Sequence, residues 1–309
     1  MKPDDRGEWL QIARQLLQCA NDGPSKLRKG KNKRATMASN FLDKAPTVFI
    51  EQNVMHFINA AQAFLICGRW TEAALAYGQA ANMYRYELHA LCEAAILYTK
   101  AGLASEKVEI GQGLDYFSKA VSVYCDCKKY GQAARIRQWI AENHDTNGNH
   151  EGAVIEYKMT TQYYHAANMN QQALQCQRKV AYLLGMDGEY AEASQVYQEI
   201  GREEMLHNLT KYSAQDSFFR ATLLLLAVES CNLDEVKTHL QESIEVDFRF
   251  KVSAGCDFLK NIISILKLED GTVHEFADHM YDYNELYPFD ELNLELLDRI
   301  YKLHFDALE

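Results

Sequence analysis

Histidine and cysteine are the residue types in this sequence best suited to catalysis or metal binding, and their spacing supports neither. Two pairs of histidines lie five or six residues apart, without the paired cysteines of a zinc site: His144 with His150, and His274 with His279. Cys125 and Cys127 form a CxC at a helix end, where alternate spacing directs the two thiols apart. We interpret these histidines as surface or structural residues and these cysteines as ordinary thiols.

Catalytic and nucleotide-binding motifs do not occur in the sequence either. None of the patterns GxxxxGKS/T, GxGxxG, HExxH and GxSxG is found. We therefore predict no catalytic residues, no bound metal and no cofactor. A protein of this kind is expected to act through the surface that its structural elements present.

The composition is typical of a soluble globular protein. Hydrophobic residues make up 48% of the 309 residues and charged residues 24%. The N-terminus, MKPDDRGEWL, lacks the apolar core of a signal peptide. The longest apolar run, Leu223–Val228, is far shorter than the roughly 20 residues of a membrane span. These features predict a cytoplasmic location and reduced thiols.

Charge is distributed unevenly along the chain. The formal net charge of −11 argues against general nucleic-acid binding. Residues 26–34 (KLRKGKNKR) nevertheless contain six basic residues, whereas the chain from Ile265 onward contains twelve acidic and three basic ones. A basic N-terminal loop and an acidic C-terminal region indicate two different partners, and solvated surface charge is the alternative for each run.

The strongest signal in the sequence is a repeat with a period of 40 residues. A small residue recurs three positions after the start of each unit and an aromatic residue seven positions after it, and in the first three units a tyrosine follows fourteen positions after the start. Such steps fall on one face of a helix. The aligned positions are Trp70, Ile110, His150 and Tyr190 at the start, then Ala73, Gly113, Ala153 and Ala193, then Tyr77, Phe117, Tyr157 and Tyr197, and finally Tyr84, Tyr124 and Tyr164.

Each unit contains a second helix, so the repeat predicts helix pairs joined by short turns, which we place at Gly102, at residues 147–149 and at residues 187–188. One such pair cannot bury its apolar face alone, and the pairs must stack. The predicted fold class is all-α. Residues 1–230 form a tetratricopeptide-like, right-handed solenoid of helical hairpins (a twisted sheet of antiparallel helices), with a basic loop near residues 23–47. After Arg220 the register ends, and residues 231–309 form an acidic C-terminal helical bundle.

One segment carries a resemblance that goes beyond periodicity. Residues 201–227 (GREEMLHNLTKYSAQDSFFRATLLLLA) closely resemble the part of alpha-type soluble NSF attachment proteins that contains LLKYSAKDYFFKA. The similarity runs from about Phe57 to Leu308. Its other best stretches are RWTEAALAYGQAANMY and KVAYLLGMDGEYAEASQVYQEIG.

This resemblance implies an adaptor rather than an enzyme. Family members bind assembled SNARE four-helix complexes through the solenoid. Through the C-terminal bundle they recruit and stimulate the hexameric ATPase NSF (N-ethylmaleimide-sensitive factor), which takes SNAREs apart in vesicle fusion and trafficking. Because a SNARE complex is an acidic rod, a basic surface can bind it without recognising a specific amino-acid sequence. A general peptide-binding helical-repeat scaffold, such as a cochaperone, is the alternative.

The resemblance also assigns residues to these contacts. Four basic residues match SNARE contacts of the family: Lys129, Arg135, Lys179 and Lys211. Gln175 replaces a further lysine, for which Arg178 is a candidate substitute, and Ala254 replaces an arginine.

The two ends of the chain match two other functions of the family. Its first loop touches membranes, and the candidates here are Met37, Phe41 and Leu42, beside basic residues that anionic lipids attract. A basic linker is the alternative for this loop. At the other end, the resemblance assigns NSF binding and stimulation to Leu308 with its acidic neighbours Asp306 and Glu309. The expected location is therefore cytoplasmic, with peripheral membrane contact.

Overall fold

The part of the chain that the structure describes consists of helices and the connections between them. A computed structural model describes residues 3–28, 45–109, 111–268 and 273–305. These ranges contain no β-strand, and one short 3-10 helix, Phe250–Val252, accompanies fourteen α-helices. The α-helices are α1 Pro3–Arg28, α2 Ala45–Ile66, α3 Trp70–Tyr86, α4 Leu91–Glu106, α5 Leu114–Asp126, α6 Tyr130–Thr146, α7 His150–Ala166, α8 Asn170–Met186, α9 Tyr190–Met205, α10 Ala214–Leu226, α11 Leu233–Val246, α12 Ala254–Lys267, α13 Val273–Leu286 and α14 Glu291–His304. The predicted all-α fold of helical hairpins is confirmed.

The chain divides into two compact units. Unit 1 comprises Met1–Ile140 with Ala166–Asn168, and unit 2 comprises Ala141–His165 with Met169–Glu309. The end of the regular repeat predicts a different boundary, at residue 230, where irregular helices follow. That boundary concerns the register of the helices rather than compactness, and it stays a prediction.

Unit 1 is built from helices that pack against their neighbours in sequence. Contacts join α1 to α2, α2 to α3, α3 to α4 and α4 to α5. Alanines such as Ala60, Ala73 and Ala104 dominate one buried cluster, together with Phe64. Because alanine has a short side chain, neighbouring helices approach closely and their apolar faces leave water together.

Helix α10 is the central helix of unit 2. It contacts α9, α11, α12 and α14. Phe218, Leu223, Leu224 and Leu226 on this helix are all fully buried. A helix that is apolar on nearly every side needs neighbours on every side. The segment that carries the family resemblance is therefore also the one around which the C-terminal helices assemble.

Five of the turns between helices share one backbone geometry. A residue with positive φ lies two positions before the next helix, and the amide after it bonds to a carbonyl five residues earlier, as Lys129 N does to Tyr124 O at 2.7 Å. This is the Schellman arrangement. The positive-φ residues are Gly68, Lys128, Gly148, Asn168 and Gly188. Their spacing in multiples of 20 residues explains the 40-residue period of the helix pairs, and the turns near residues 148 and 188 are confirmed.

The repeated small and aromatic residues lie in the core, as their spacing predicts. Ala73, Ala153 and Ala193 are fully buried. The aromatic positions seven residues after each start are at most 3% exposed: Tyr77, Phe117, Tyr157 and Tyr197. The helical face inferred from the repeat is therefore the face that packs.

The turn placed at Gly102 is wrong, because Gly102 lies inside α4. Its missing side chain leaves room for the ring of Phe117 on α5. The connection instead follows Glu106, whose carboxylate accepts hydrogen bonds from the amides of Gly111 (3.1 Å) and Gly113 (2.9 Å). This loop takes the place of a first helical turn, so α5 begins at Leu114, later than the repeat predicts. Ile110 itself lies outside the described residues.

Candidate partner-binding site

Among the histidines and thiols singled out in the sequence, His150 and Cys127 make ordinary polar contacts. His150 Nδ1 lies 2.7 Å from Asp187 Oδ1 on the surface of unit 2. Cys127 donates its thiol proton to a backbone carbonyl, and burial raises the pKa of Cys127 to about 11, so this thiol stays protonated at neutral pH. Within the described ranges, no group of three or more His, Cys, Asp or Glu side chains is placed to hold a metal ion.

Two of the four basic candidates, Lys129 and Arg135, belong to unit 1. Lys129 follows the positive-φ residue Lys128, so the turn fixes its backbone and leaves its side chain exposed. Arg135 is exposed on α6 between the buried residues Ala134 and Ile136. Among the described residues neither cation forms an ion pair. Both are therefore available to an anionic partner.

Lys179 is the third candidate, and it lies on α8 in unit 2. Its Nζ is 3.1 Å from Asp145 Oδ2 and 6.0 Å from the centre of the Tyr182 ring. About half of the lysine side chain remains exposed (51%). An exposed ion pair of this kind contributes little to stability, so an acidic partner can compete for the lysine.

Arg178, the candidate substitute for the family lysine that is missing at Gln175, is engaged within unit 2. Its guanidinium pairs with Glu204, whose side chain is completely buried. Ser217 donates a second hydrogen bond to the same carboxylate at 2.7 Å. A buried carboxylate that lost its cation would be strongly unfavourable, so Arg178 is held as a structural residue of unit 2.

Lys211, the fourth candidate, lies beside a second cation, Arg249, that no sequence pattern indicates. Arg249 Nη2 donates a hydrogen bond to the carbonyl of Lys211 at 2.7 Å. Lys211 Nζ and Arg249 Cζ lie 5.4 Å and 4.9 Å from the centre of the Tyr212 ring. Asp247 accepts hydrogen bonds from the guanidinium, and these raise the pKa of Arg249. The structure therefore brings Lys211 and Arg249 together on one surface.

The other predicted contact residues cannot be placed. Met37, Phe41 and Leu42, the membrane candidates, lie outside the described residues, as do Asp306, Leu308 and Glu309 of the tail. All six stay predictions. In the described parts of the chain, no helix is long and apolar enough to cross a membrane.

Hairpin packing, a 40-residue repeat and exposed basic side chains define the class of this protein as an all-α helical-repeat scaffold. A family model described as soluble NSF attachment protein matches residues 24–303. Because this match covers most of the chain, the chain belongs to the soluble NSF attachment protein family, and the resemblance seen in the sequence is confirmed.

Individual relatives agree with this assignment. Human alpha-soluble NSF attachment protein is 27% identical over 254 residues, which cover 82% of this chain and 84% of the relative. Bovine beta-soluble NSF attachment protein is also 27% identical, with 82% and 83% covered. A vesicular-fusion protein of Komagataella phaffii is 24% identical, with 75% and 84% covered. A solved designed helical repeat protein matches 96% of this chain at 14% identity, but its TM-score of 0.15 is too low to carry an argument.

Proposed function

We propose that this chain is an adaptor that binds assembled SNARE complexes and recruits and stimulates the NSF ATPase, so that SNAREs are disassembled in vesicle fusion and trafficking. The observation that carries the proposal is the family match over residues 24–303. Relatives named for NSF attachment and for vesicular fusion support it. ATP hydrolysis is assigned to NSF, and no catalytic role is assigned to this chain.

The proposed SNARE contacts are Lys129 and Arg135 in unit 1 and Lys179 and Lys211 in unit 2. None of the four is buried. One exposed ion pair contributes at most about 1 kcal/mol, so binding to an acidic SNARE complex needs several such contacts at once. Because these charges are exposed, binding should weaken as salt increases.

The ends of the chain complete the proposed adaptor. Met37, Phe41 and Leu42, with the basic run before them, are proposed to contact an anionic membrane. Asp306, Leu308 and Glu309 are proposed to contact NSF. The adaptor would then be a cytoplasmic protein with peripheral membrane contact.

A disassembly assay tests the proposal. A preformed soluble SNARE complex that carries a fluorescent donor and acceptor is incubated with NSF, ATP and the full chain, and loss of energy transfer is followed. We expect disassembly only when all three components are present, and none with a non-hydrolysable ATP analogue. If the SNARE complex stays assembled at saturating concentrations of the chain, the proposal is wrong. Binding of unstructured peptides by the chain would then favour the peptide-binding scaffold.

A further inference from the structure

Two connections of unit 2 meet at Arg249. One connection lies between α9 and α10 and contains Lys211, and the other lies between α11 and α12 and contains Arg249. The guanidinium joins them, because Nη2 donates to the carbonyl of Lys211 at 2.7 Å and lies 3.3 Å from the sulfur of Met205. The fold therefore places a second cation beside Lys211 from a position 38 residues away in the sequence.

The guanidinium of Arg249 is held rigidly on one edge and left free on the other. Nε and Nη2 donate to the two carboxylate oxygens of Asp247 at 2.8 and 3.0 Å, and the Asp247 side chain is almost fully buried. The Nη1 group forms no hydrogen bond to any described residue, and the arginine side chain is 30% exposed. The two N–H groups of Nη1 thus remain available in fixed positions, and a preorganised donor loses little entropy when it binds a carboxylate.

The surroundings of this guanidinium favour an acidic partner with apolar side chains. Lys211 and Arg249 both lie against the ring of Tyr212, and an anion within reach of both cations would relieve their mutual repulsion. The same two connections expose several large apolar residues, among them Leu209 (94%), Phe248 (73%) and Val252 (72%). Exposed apolar groups beside fixed cations are typical of a docking surface.

We propose that Arg249 is a direct contact residue for the SNARE complex and that, with Lys211, it binds carboxylates on the acidic helices. Leu209, Phe248 and Val252 contact apolar side chains of the same helices. The inference rests on the proposed function and extends it to a residue outside the four basic matches. In this chain Arg249 supplies the charge for which the family uses an arginine at the position of Ala254.

Substitution of Arg249 in the full chain tests the contact. Arg249→Ala should bind a preformed soluble SNARE complex about tenfold more weakly, since charge-assisted hydrogen bonds are lost. Its affinity should also depend less steeply on salt, because one ionic contact fewer is screened. The control is Arg202→Ala in the same unit, whose guanidinium pairs with the exposed Glu242 at 3.6 Å. This control should bind like the wild-type chain.

A rescue variant separates contact from folding. Ala254 is exposed at the first position of α12, so Arg249→Ala combined with Ala254→Arg restores a cation nearby and should recover most of the affinity. Wild-type binding by Arg249→Ala would overturn the inference, as would a loss that accompanies a lower melting temperature and resists the rescue. Failure of the wild-type chain to bind would contradict the proposed function as well, whereas unaffected binding by Arg249→Ala would overturn this inference alone.

Discussion

The ring of Phe117 occupies the space that a side chain at position 102 would need. A Cβ atom on Gly102 would lie 2.6 Å from Cε1 of that ring. Gly201 and Phe218 stand in the same relationship in unit 2, also at 2.6 Å. In both cases the glycine lies within one helix and the aromatic residue in the next one. These glycines allow two helices to pack closely, and they do not form turns.

Gly102→Ala should therefore destabilise the protein, although alanine favours helices by up to about 1 kcal/mol. Forcing a methyl group against a packed ring costs about 1–3 kcal/mol, which outweighs that gain. The measurement is the free energy of unfolding in urea. Gly7→Ala on α1 is the matched control, because no atom lies within 4 Å of a Cβ there and a small gain is expected. A Gly102→Ala protein as stable as the wild type would contradict the packing described for Phe117.

Most of the fold could be predicted because the repeat is a local signal. Three- and four-residue spacing identified the buried face of each helix, as Tyr157 and Tyr197 show. The turn predicted at Gly102 is wrong because glycine occurs both in turns and at close helix contacts, and sequence alone does not distinguish these uses. The site was only partly predictable. Lys129 and Lys211 came from the resemblance, whereas Arg249 reaches Lys211 only through the folding of two irregular connections.

Reversal of the four proposed SNARE contacts to glutamate should abolish binding to the SNARE complex. The variant changes Lys129, Arg135, Lys179 and Lys211 together, because single exposed cations contribute too little to be decisive. Binding to a labelled soluble SNARE complex is measured, with circular dichroism as the check on folding.

The matched control for this reversal carries the same change in net charge. It replaces four other exposed lysines with glutamate. These lysines pair with aspartates, and they are Lys119, Lys260, Lys267 and Lys302. The control should keep much of the wild-type affinity. Equal losses in the two variants would mean that net charge, rather than the assigned residues, governs binding.

Stability should fall as the pH drops below about 6.5, and His239 in unit 2 is one cause. Burial lowers the pKa of His239 below its ordinary 6.5. The neighbouring Glu242 raises this pKa and the neighbouring Arg202 lowers it, and the net shift is downward. As the pH falls, the unfolded chain therefore binds the proton at a higher pH than the folded chain does. The stability that the neutral His239 contributes is complete above pH 6.5 and is lost as the pH falls through the pKa of His239 in the folded state. Unfolding free energies measured between pH 7.5 and 5.5 check this. His239→Gln should flatten the profile, and an unchanged profile would exclude His239 as a cause.

The basic run should matter more for membrane-anchored substrates than for soluble ones. Neutralising Lys29, Lys31, Lys33 and Arg34 to glutamine leaves the sequences of α1 and α2 intact. Each basic residue near an anionic leaflet contributes about 1 kcal/mol, so binding to anionic liposomes should fall. Disassembly of anchored SNARE complexes should fall with it, and added salt should reproduce the effect in the wild type. An equal loss on soluble complexes would point to a defect unrelated to membranes.

The tail prediction concerns Leu308, an apolar residue between the acidic Asp306 and Glu309. The described core of unit 2 ends at Phe305, whose ring packs 5.5 Å from Phe276 and 5.7 Å from Tyr301. Leu308→Ala should therefore leave the melting temperature and SNARE binding near their wild-type values. If Leu308 docks its side chain on NSF while the carboxylates meet basic residues there, stimulation of the ATPase and disassembly should both drop sharply.

Two comparisons make the tail experiment decisive. Leu294→Ala removes a half-exposed leucine from α14 in the same unit, and it should stimulate NSF normally if position 308 is specific. In mixtures with the wild type, Leu308→Ala should inhibit disassembly, because it still occupies the SNARE complex without stimulating the ATPase. Normal stimulation by Leu308→Ala would remove the functional assignment of the tail, and NSF contact would then have to come from the acidic surfaces of α13 and α14.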